Sequence, residues 1–280
     1  MSKEPVWNKF LTERDKAVFA AGGFGARAGF GKRPALVIID VNWAFCGERP
    51  EPILDSIKKW RTSCGKDAWA ALPYIRKLID AAHAKGLPVI YTTGEGRADK
   101  WDRGSWSWKS SRGGEAAGRP GSNLDGNEIA APIAPSPQDI VIRKQKPSGF
   151  FGTNLASYLT LLGADSLIVT GTTTSGCVRA TVVDAFSLNY RCILAEEGCF
   201  DRSEASHALS LCDMHAKYAD VVPTAEVLDH VAGLPDGLFD LPSGIAPRRR
   251  DQAGRGIGSG GACAGSSCIA KAPSKAAVDA

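Results

Sequence analysis

The chain has 280 residues, enough to bury a full core as one large domain or two small ones. Hydrophobic residues make up 44% and charged residues 23%, the usage of an ordinary soluble globular protein. The formal net charge of +4 is small and scattered, which excludes the basic footprint of a nucleic-acid binder; the one compact basic run is Arg248-Arg249-Arg250.

The first 33 residues end in AGGFGARAGFGKR, where Gly23, Gly25 and Gly29 are spaced G-x-G-x-x-x-G. That is one residue longer than the dinucleotide fingerprint, and it precedes a strand rather than following one, so 1–33 reads as a flexible N-terminal extension. ALVIID (35–40) is a buried strand ending in Asp40, WAALPYIRKLIDAAHAKG (69–86) an amphipathic helix closed by Lys85-Gly86, and LPVIYTT (87–93) a second strand. Residues 94–138 are polar and rich in Gly, Pro and Trp, the composition of a long functional or lid-like loop. DIVIRK (139–144) is a third strand, TNLASYLTLLGA (153–164) a helix and SLIVTG (166–171) a fourth strand. A helix over VRATVVDAFSL, a fifth strand RCILAEEG (191–198), the helix SEASHALSLCDMHAKYA (203–219) and a short ADVVP strand close the series. Buried strands alternating with amphipathic helices predict a three-layer α/β/α fold with a mostly parallel sheet over 34–232. From 233 to 280 the composition turns to Gly, Ala, Ser, Pro and Arg, that of an unfolded low-complexity tail. No stretch approaches the ~20 apolar residues of a membrane span, and MSKEPVWNKF lacks a signal-peptide core, so a cytoplasmic location with no membrane contact is expected. The eight cysteines then stay reduced, and Cys263 with Cys268 in the tail has no partner set for a metal.

Ligands of open α/β sheets bind beyond the carboxyl ends of the strands, which turns attention to what stands there. Asp40 ends the first strand, Lys144 the third, and Cys177 follows the fourth within VTGTTTSGCVR. Gly171 and Gly176 have the spacing that opens a phosphate-binding P-loop, but Cys177 and Val178 replace its Lys and Ser or Thr. A Cys at a helix start faces free N–H groups and the positive end of the macrodipole, which lowers a thiol pKa and supplies oxyanion donors; position alone equally allows a buried structural thiol. Asp40 is either a general base or a turn-capping acid. In RKQKP either Lys144 or Lys146 is the inward amine.

Three motifs in order, ALVIID, KQKPSGFFGTNL and VTGTTTSGCVRATVVDA, resemble the isochorismatase-like cysteine hydrolases, in particular their N-carbamoylsarcosine amidase branch, over about residues 34–230. The resemblance implies a catalytic triad of Asp40, Lys144 and Cys177, a non-proline cis peptide between Thr172 and Thr173, and an oxyanion hole from the N–H groups of Thr173 and Cys177. It implies C–N hydrolysis of a small carboxylated carbamoyl compound or amide through a thioester, with ammonia released. Same-fold C–O hydrolysis and a non-catalytic binding module are the rivals. Arg202 in EGCFDRS matches the position where such amidases hold a substrate carboxylate. Asn42, Trp43 and Phe45 just beyond Asp40, with Thr174 beside the nucleophile, are expected around the substrate. The nicotinamidase-type D-x-H-H metal cluster has no counterpart among His83, His207, His215 and His230, so no metal and no cofactor are expected. Trp101, Trp106 and Trp108, with Arg103 and Arg112, are expected to cover a small-molecule substrate or to meet another subunit, since the family commonly forms homotetramers.

Overall fold

The computed structural model describes residues 4–109 and 124–244. Among them a six-stranded sheet has the order β3-β2-β1-β4-β5-β6, every adjacent pair parallel. In chain order the elements are α1 (Glu13–Gly22), β1 (Pro34–Ile39), α2 (Trp43–Cys46), α3 (Ile53–Lys59), α4 (Lys66–Ala84), β2 (Val89–Gly94) and α5 (Ser105–Lys109). There follow β3 (Ile140–Lys144), α6 (Leu155–Leu162), β4 (Ser166–Thr172), α7 (Arg179–Ser187), β5 (Arg191–Phe200), α8 (Glu204–Lys217), β6 (Asp220–Val222) and α9 (Thr224–Gly233).

The central strands β1 and β4 are buried at every residue, which is why they read as unbroken apolar runs. Successive side chains of a strand point to opposite faces, and β1 feeds two cores in that way. Leu36 and Ile38 pack with Ile75, Ile79 and Val227 of α4 and α9. Val37 and Ile39 pack with Leu159, Val182 and Leu211 of α6, α7 and α8 on the other side. Each fully buried Leu or Ile stabilises the fold by about 1.5–3 kcal/mol, so both helical layers are held by transfer of apolar surface. The edge strand β3 alternates instead: Val141 and Arg143 are exposed, whereas Ile142 and Lys144 are buried on the shared inner face. No helix among the described residues is long and apolar enough to cross a membrane.

The N-terminal segment differs from the expected flexible lead-in. Trp7 is buried in the second core, and α1 starts on a capping box in which Thr12 and Asp15 satisfy each other's backbone N–H groups. The N–H groups of Ala28 and Gly29 then bond the Asp220 carboxylate at 3.0 and 2.7 Å, fastening the glycine-rich stretch to β6. These anchors lie some 190 residues away in sequence, so no local pattern announces them. Within the expected tail, Leu234 is buried and Leu238 and Phe239 pack against the first core. Residues 245–280, with Arg248, Cys263 and Cys268, lie outside the described residues, as do 110–123 with Arg112. The described parts of the long loop carry two short 3-10 turns, Trp101–Arg103 and Ala131–Ile133, and α5.

Candidate active site

The strand order reverses between β1 and β4, whose chains leave in opposite directions and open a crevice at their carboxyl ends. Asp40 leaves β1 there and Cys177 follows β4. The two strands stay paired to this end. Gly171 has φ 109° and pairs with Ile39, and a Cβ on it would stand 2.2 Å from the Ile39 carbonyl oxygen. Only glycine fits such a contact.

Asp40 adopts φ 52°, a left-handed turn that Asp tolerates better than most residues and that swings its side chain across the strand ends. Its Oδ2 accepts from Lys144 Nζ at 2.7 Å and its Oδ1 from Thr92 Oγ1 at 2.7 Å. Lys144 Nζ also donates to the Lys146 carbonyl at 3.1 Å, so of the two candidate lysines Lys144 is the inward amine. Asp40 and Lys144 form a buried ion pair, 4% and 5% exposed. Burial alone would lower the Lys144 pKa, but the charge of Asp40, with a smaller effect of the neighbouring Cys177, outweighs it and holds the ammonium above its usual range.

The Cys177 thiol lies near enough to Asp40 and Lys144 for both to act on its ionisation, so the three strand-end residues share one crevice. Its setting differs from the expected helix start. Thr174–Val178 form a single π-turn ahead of α7, closed by Val178 N–H donating to the Thr173 carbonyl at 3.2 Å. The half-buried thiol is not depressed but pushed up to about 12, mainly by burial and then by the Asp40 carboxylate, with Lys144 opposing. Desolvation of a thiolate inside the crevice exceeds anything the loop's dipoles return. The peptide joining Thr172 and Thr173 is cis.

The loop is strapped from behind. Asp201 Oδ2 accepts from the Ser175 N–H at 2.8 Å and the Ser175 hydroxyl at 2.7 Å, while its Oδ1 accepts from the Arg202 N–H at 2.7 Å. Thr174 Oγ1 lies 3.1 Å from the Phe200 carbonyl and 2.8 Å from His207 Nδ1. Thr174 thus faces β5 and α8 with its hydroxyl already engaged. Asn42 is likewise engaged: Oδ1 caps α2 by accepting from the Phe45 N–H, and Nδ2 donates to Thr93. Trp43 packs partly on the first core. Arg202 is exposed, donates to the Thr62 carbonyl at 2.8 Å and stands 6.0 Å from the Phe45 ring centroid. Cys64 from the same turn as Thr62 touches Thr172 Oγ1 at 3.5 Å, joining the Arg202 anchor to the end of β4.

Thr92, Cys64, Asp201 and His207 were not singled out from the sequence as parts of the site. Thr92 and Asp201 stand at strand ends and so satisfied the same filter as Asp40. His207, three residues into α8, carried no such signal. Trp106 Nε1 donates to the Gln145 carbonyl at 3.0 Å, tying α5 beside Lys144, whereas Trp101 and Trp108 are 82% and 85% exposed. The four histidines are dispersed. His83 pairs with Asp139, His215 accepts from the Val221 N–H, and His230 stacks on Phe30. Among the described residues no group of three or more His, Cys, Asp or Glu could hold a metal ion. A cavity of about 410 Å³ lined by Lys66, Tyr74, Glu197, Asp201 and His207 backs the loop, and none of the three triad candidates lines it.

Comparison with known proteins identifies the family. The family model described as an isochorismatase domain matches residues 34–226. An N-carbamoylsarcosine amidase from Arthrobacter is 32% identical over 242 residues, covering 84% of this chain and 84% of the relative. A maleamate amidohydrolase from Pseudomonas putida is 31% identical over 224 residues, covering 76% of this chain and 94% of the relative. The crystal structure of N-carbamoylsarcosine amidase from Thermoplasma acidophilum matches with a TM-score of 0.54 and 28% identity, covering 69% of this chain and 96% of that one. With most of its length matched in sequence and in fold, the chain belongs to the isochorismatase-like hydrolase family.

Proposed function

We propose that the chain is a cysteine amidohydrolase that cleaves the C–N bond of a small carboxylated carbamoyl compound or amide through a thioester. The observation that carries this reading is the Asp40–Lys144 ion pair, 2.7 Å long and buried, close enough to the Cys177 thiol to act on its ionisation. Relatives named N-carbamoylsarcosine amidase and maleamate amidohydrolase support the bond type.

A thiol pushed up so far is almost wholly protonated at pH 7. Attack therefore needs a base acting as the bond forms, and Asp40 is that base. Cys177 Sγ bonds to the substrate carbonyl carbon while its proton passes to Asp40. The carbonyl oxygen becomes an oxyanion, taken up by the Thr173 and Cys177 N–H groups. Collapse breaks the C–N bond, and the leaving nitrogen carries off the Asp40 proton as ammonia. Water then attacks the thioester, giving its proton to Asp40, which returns it to the departing sulfur. Lys144 fixes the Asp40 carboxylate and offsets the negative charge that the crevice gathers.

Arg202 is the carboxylate receptor in this reading, its guanidinium suited to a bidentate contact. Asn42, Trp43, Phe45 and Thr174 then act by shaping and holding the pocket edge. The exposed Trp101, Trp108 and Phe151 favour a homo-oligomer, to be measured by light scattering. The test of the chemistry is Cys177→Ser. Ammonia release from N-carbamoyl amino acids or maleamate should fall to background with the fold intact, and undiminished release sinks the mechanism.

A further inference from the structure

We propose that His207 is a positioning residue of the nucleophile loop: its ring donates a hydrogen bond from Nδ1 to Thr174 Oγ1 and so holds the π-turn that presents Cys177.

The hydrogen count favours this direction. Thr174 Oγ1 carries one hydrogen, and its neighbours are the Phe200 carbonyl at 3.1 Å and His207 Nδ1 at 2.8 Å. A carbonyl oxygen can only accept, so with both contacts made as hydrogen bonds the Thr174 hydrogen goes to Phe200 and Nδ1 donates the other. Burial keeps His207 below the usual histidine range, with Asp201 and then Asp67 opposing, so the ring is neutral near pH 7 and the tautomer matters.

What the bond holds is the point where the chain turns from β4 into the nucleophile loop. Thr174 is fully buried and directly follows Thr173, whose carbonyl accepts the N–H groups of Gly176 and Val178 that close the turn around Cys177. Asp201 grips the next residue, Ser175, through two bonds. Two consecutive residues are therefore tied to the end of β5 and to α8. Asp201 holds the backbone at Ser175, and His207 holds the Thr174 side chain. Freed of His207, Thr174 keeps one partner and can rotate, carrying the donors at Thr173 and Cys177 out of register.

Four full-length variants test this: His207→Leu, His207→Asn, Thr174→Val, and the His207→Leu/Thr174→Val pair, each with a urea midpoint to confirm folding. Asn places an amide donor near the position of Nδ1. His207→Leu should lower kcat roughly 10- to 100-fold with KM unchanged, and His207→Asn should restore most of it. The double variant should lose no more than the larger single one. In ¹⁵N-histidine-labelled protein, His207 should show a protonated Nδ1, and Thr174→Val should abolish that tautomer. A protonated Nε2 in the parent protein, a loss confined to KM, or additive losses overturns the proposal. The kinetic arm rests on the amidase reading. If the parent protein hydrolyses no amide, that reading fails on its own, and the NMR tautomer with the iodoacetamide alkylation rate of Cys177, changed in His207→Leu and restored in His207→Asn, decides the role of His207.

Discussion

Asp40→Asn separates what the ion pair does for stability from what it does for chemistry. Asn is nearly isosteric and can keep the contact with Thr92, but it leaves Lys144 charged and 5% exposed, with neutral neighbours such as the Lys146 carbonyl in place of a carboxylate. Removing one member of a buried pair costs about 3–5 kcal/mol because the other charge stays desolvated and uncompensated. Against a typical total of 5–15 kcal/mol this is a large fraction, and it corresponds to a Tm drop of roughly 6–20 °C for a domain of this size. Removing the second charge as well, in Asp40→Asn/Lys144→Met, should return most of that stability, since no isolated ion remains. Activity should not return with it: loss of the general base costs about 10²- to 10⁴-fold in both variants. Urea unfolding of the parent protein, the single and the double variant, paired with ammonia release, reads out both effects. A single variant as stable as the parent, or a double variant less stable than the single, refutes the reasoning.

Alkaline pH should unfold the protein from within. Burial holds the thiols of Cys64, Cys177, Cys192 and Cys199 up to about 12 in the fold, against about 8.5 in the unfolded chain. The folded state thus keeps these protons more tightly, so their stabilisation is complete below about pH 8.5 and is lost as pH rises toward 12. The urea midpoint should stay flat from pH 7 to 8 and fall steeply above 9; constancy to pH 10.5 contradicts it. Arg202→Ala should raise KM for a carboxylated substrate about 10- to 150-fold, the worth of one charged hydrogen-bonding group, with kcat little changed. An uncharged amide should show no such penalty, and equal effects on both would remove Arg202 from carboxylate recognition. Gly171→Ala should destabilise by more than the ~1–3 kcal/mol of a strained φ alone, because its Cβ meets the Ile39 carbonyl at 2.2 Å; a Tm equal to that of the parent would refute this.

The strands of this fold were legible because burial on both faces leaves runs such as ALVIID and SLIVTG with no competing period. Once those ends were fixed, Asp40, Lys144 and Cys177 fell out of a geometric rule, and the structure places them together. The protonation state of Cys177 was not legible. A helix-start reading favours the thiolate, but the dominant factor is desolvation, which depends on how the crevice closes over the sulfur. The straps on the loop were hidden for another reason: Asp201 and His207 act across 26 and 33 residues of sequence, and neither breaks any local pattern. Segments with weak signatures were lost similarly. The α1 helix buries none of its residues, so no apolar stripe marked it, although the Thr12–Asp15 box did stand in the sequence.

The contact of Gly171 with Ile39 has a consequence for how such a protein can change. It sets the spacing of Asp40 and Cys177 by backbone against backbone, at the paired ends of β1 and β4, with no side chain between them. Substitutions that repack either core leave that spacing alone. Arg202, the turn at Thr62, α2 and α5 all stand on excursions beyond the strands, attached to the sheet by a few bonds each. On the proposed mechanism, new substrates would be reached by rewriting those excursions while Asp40 and Cys177 are carried along unchanged, as a fixed tool whose handle alone is recut.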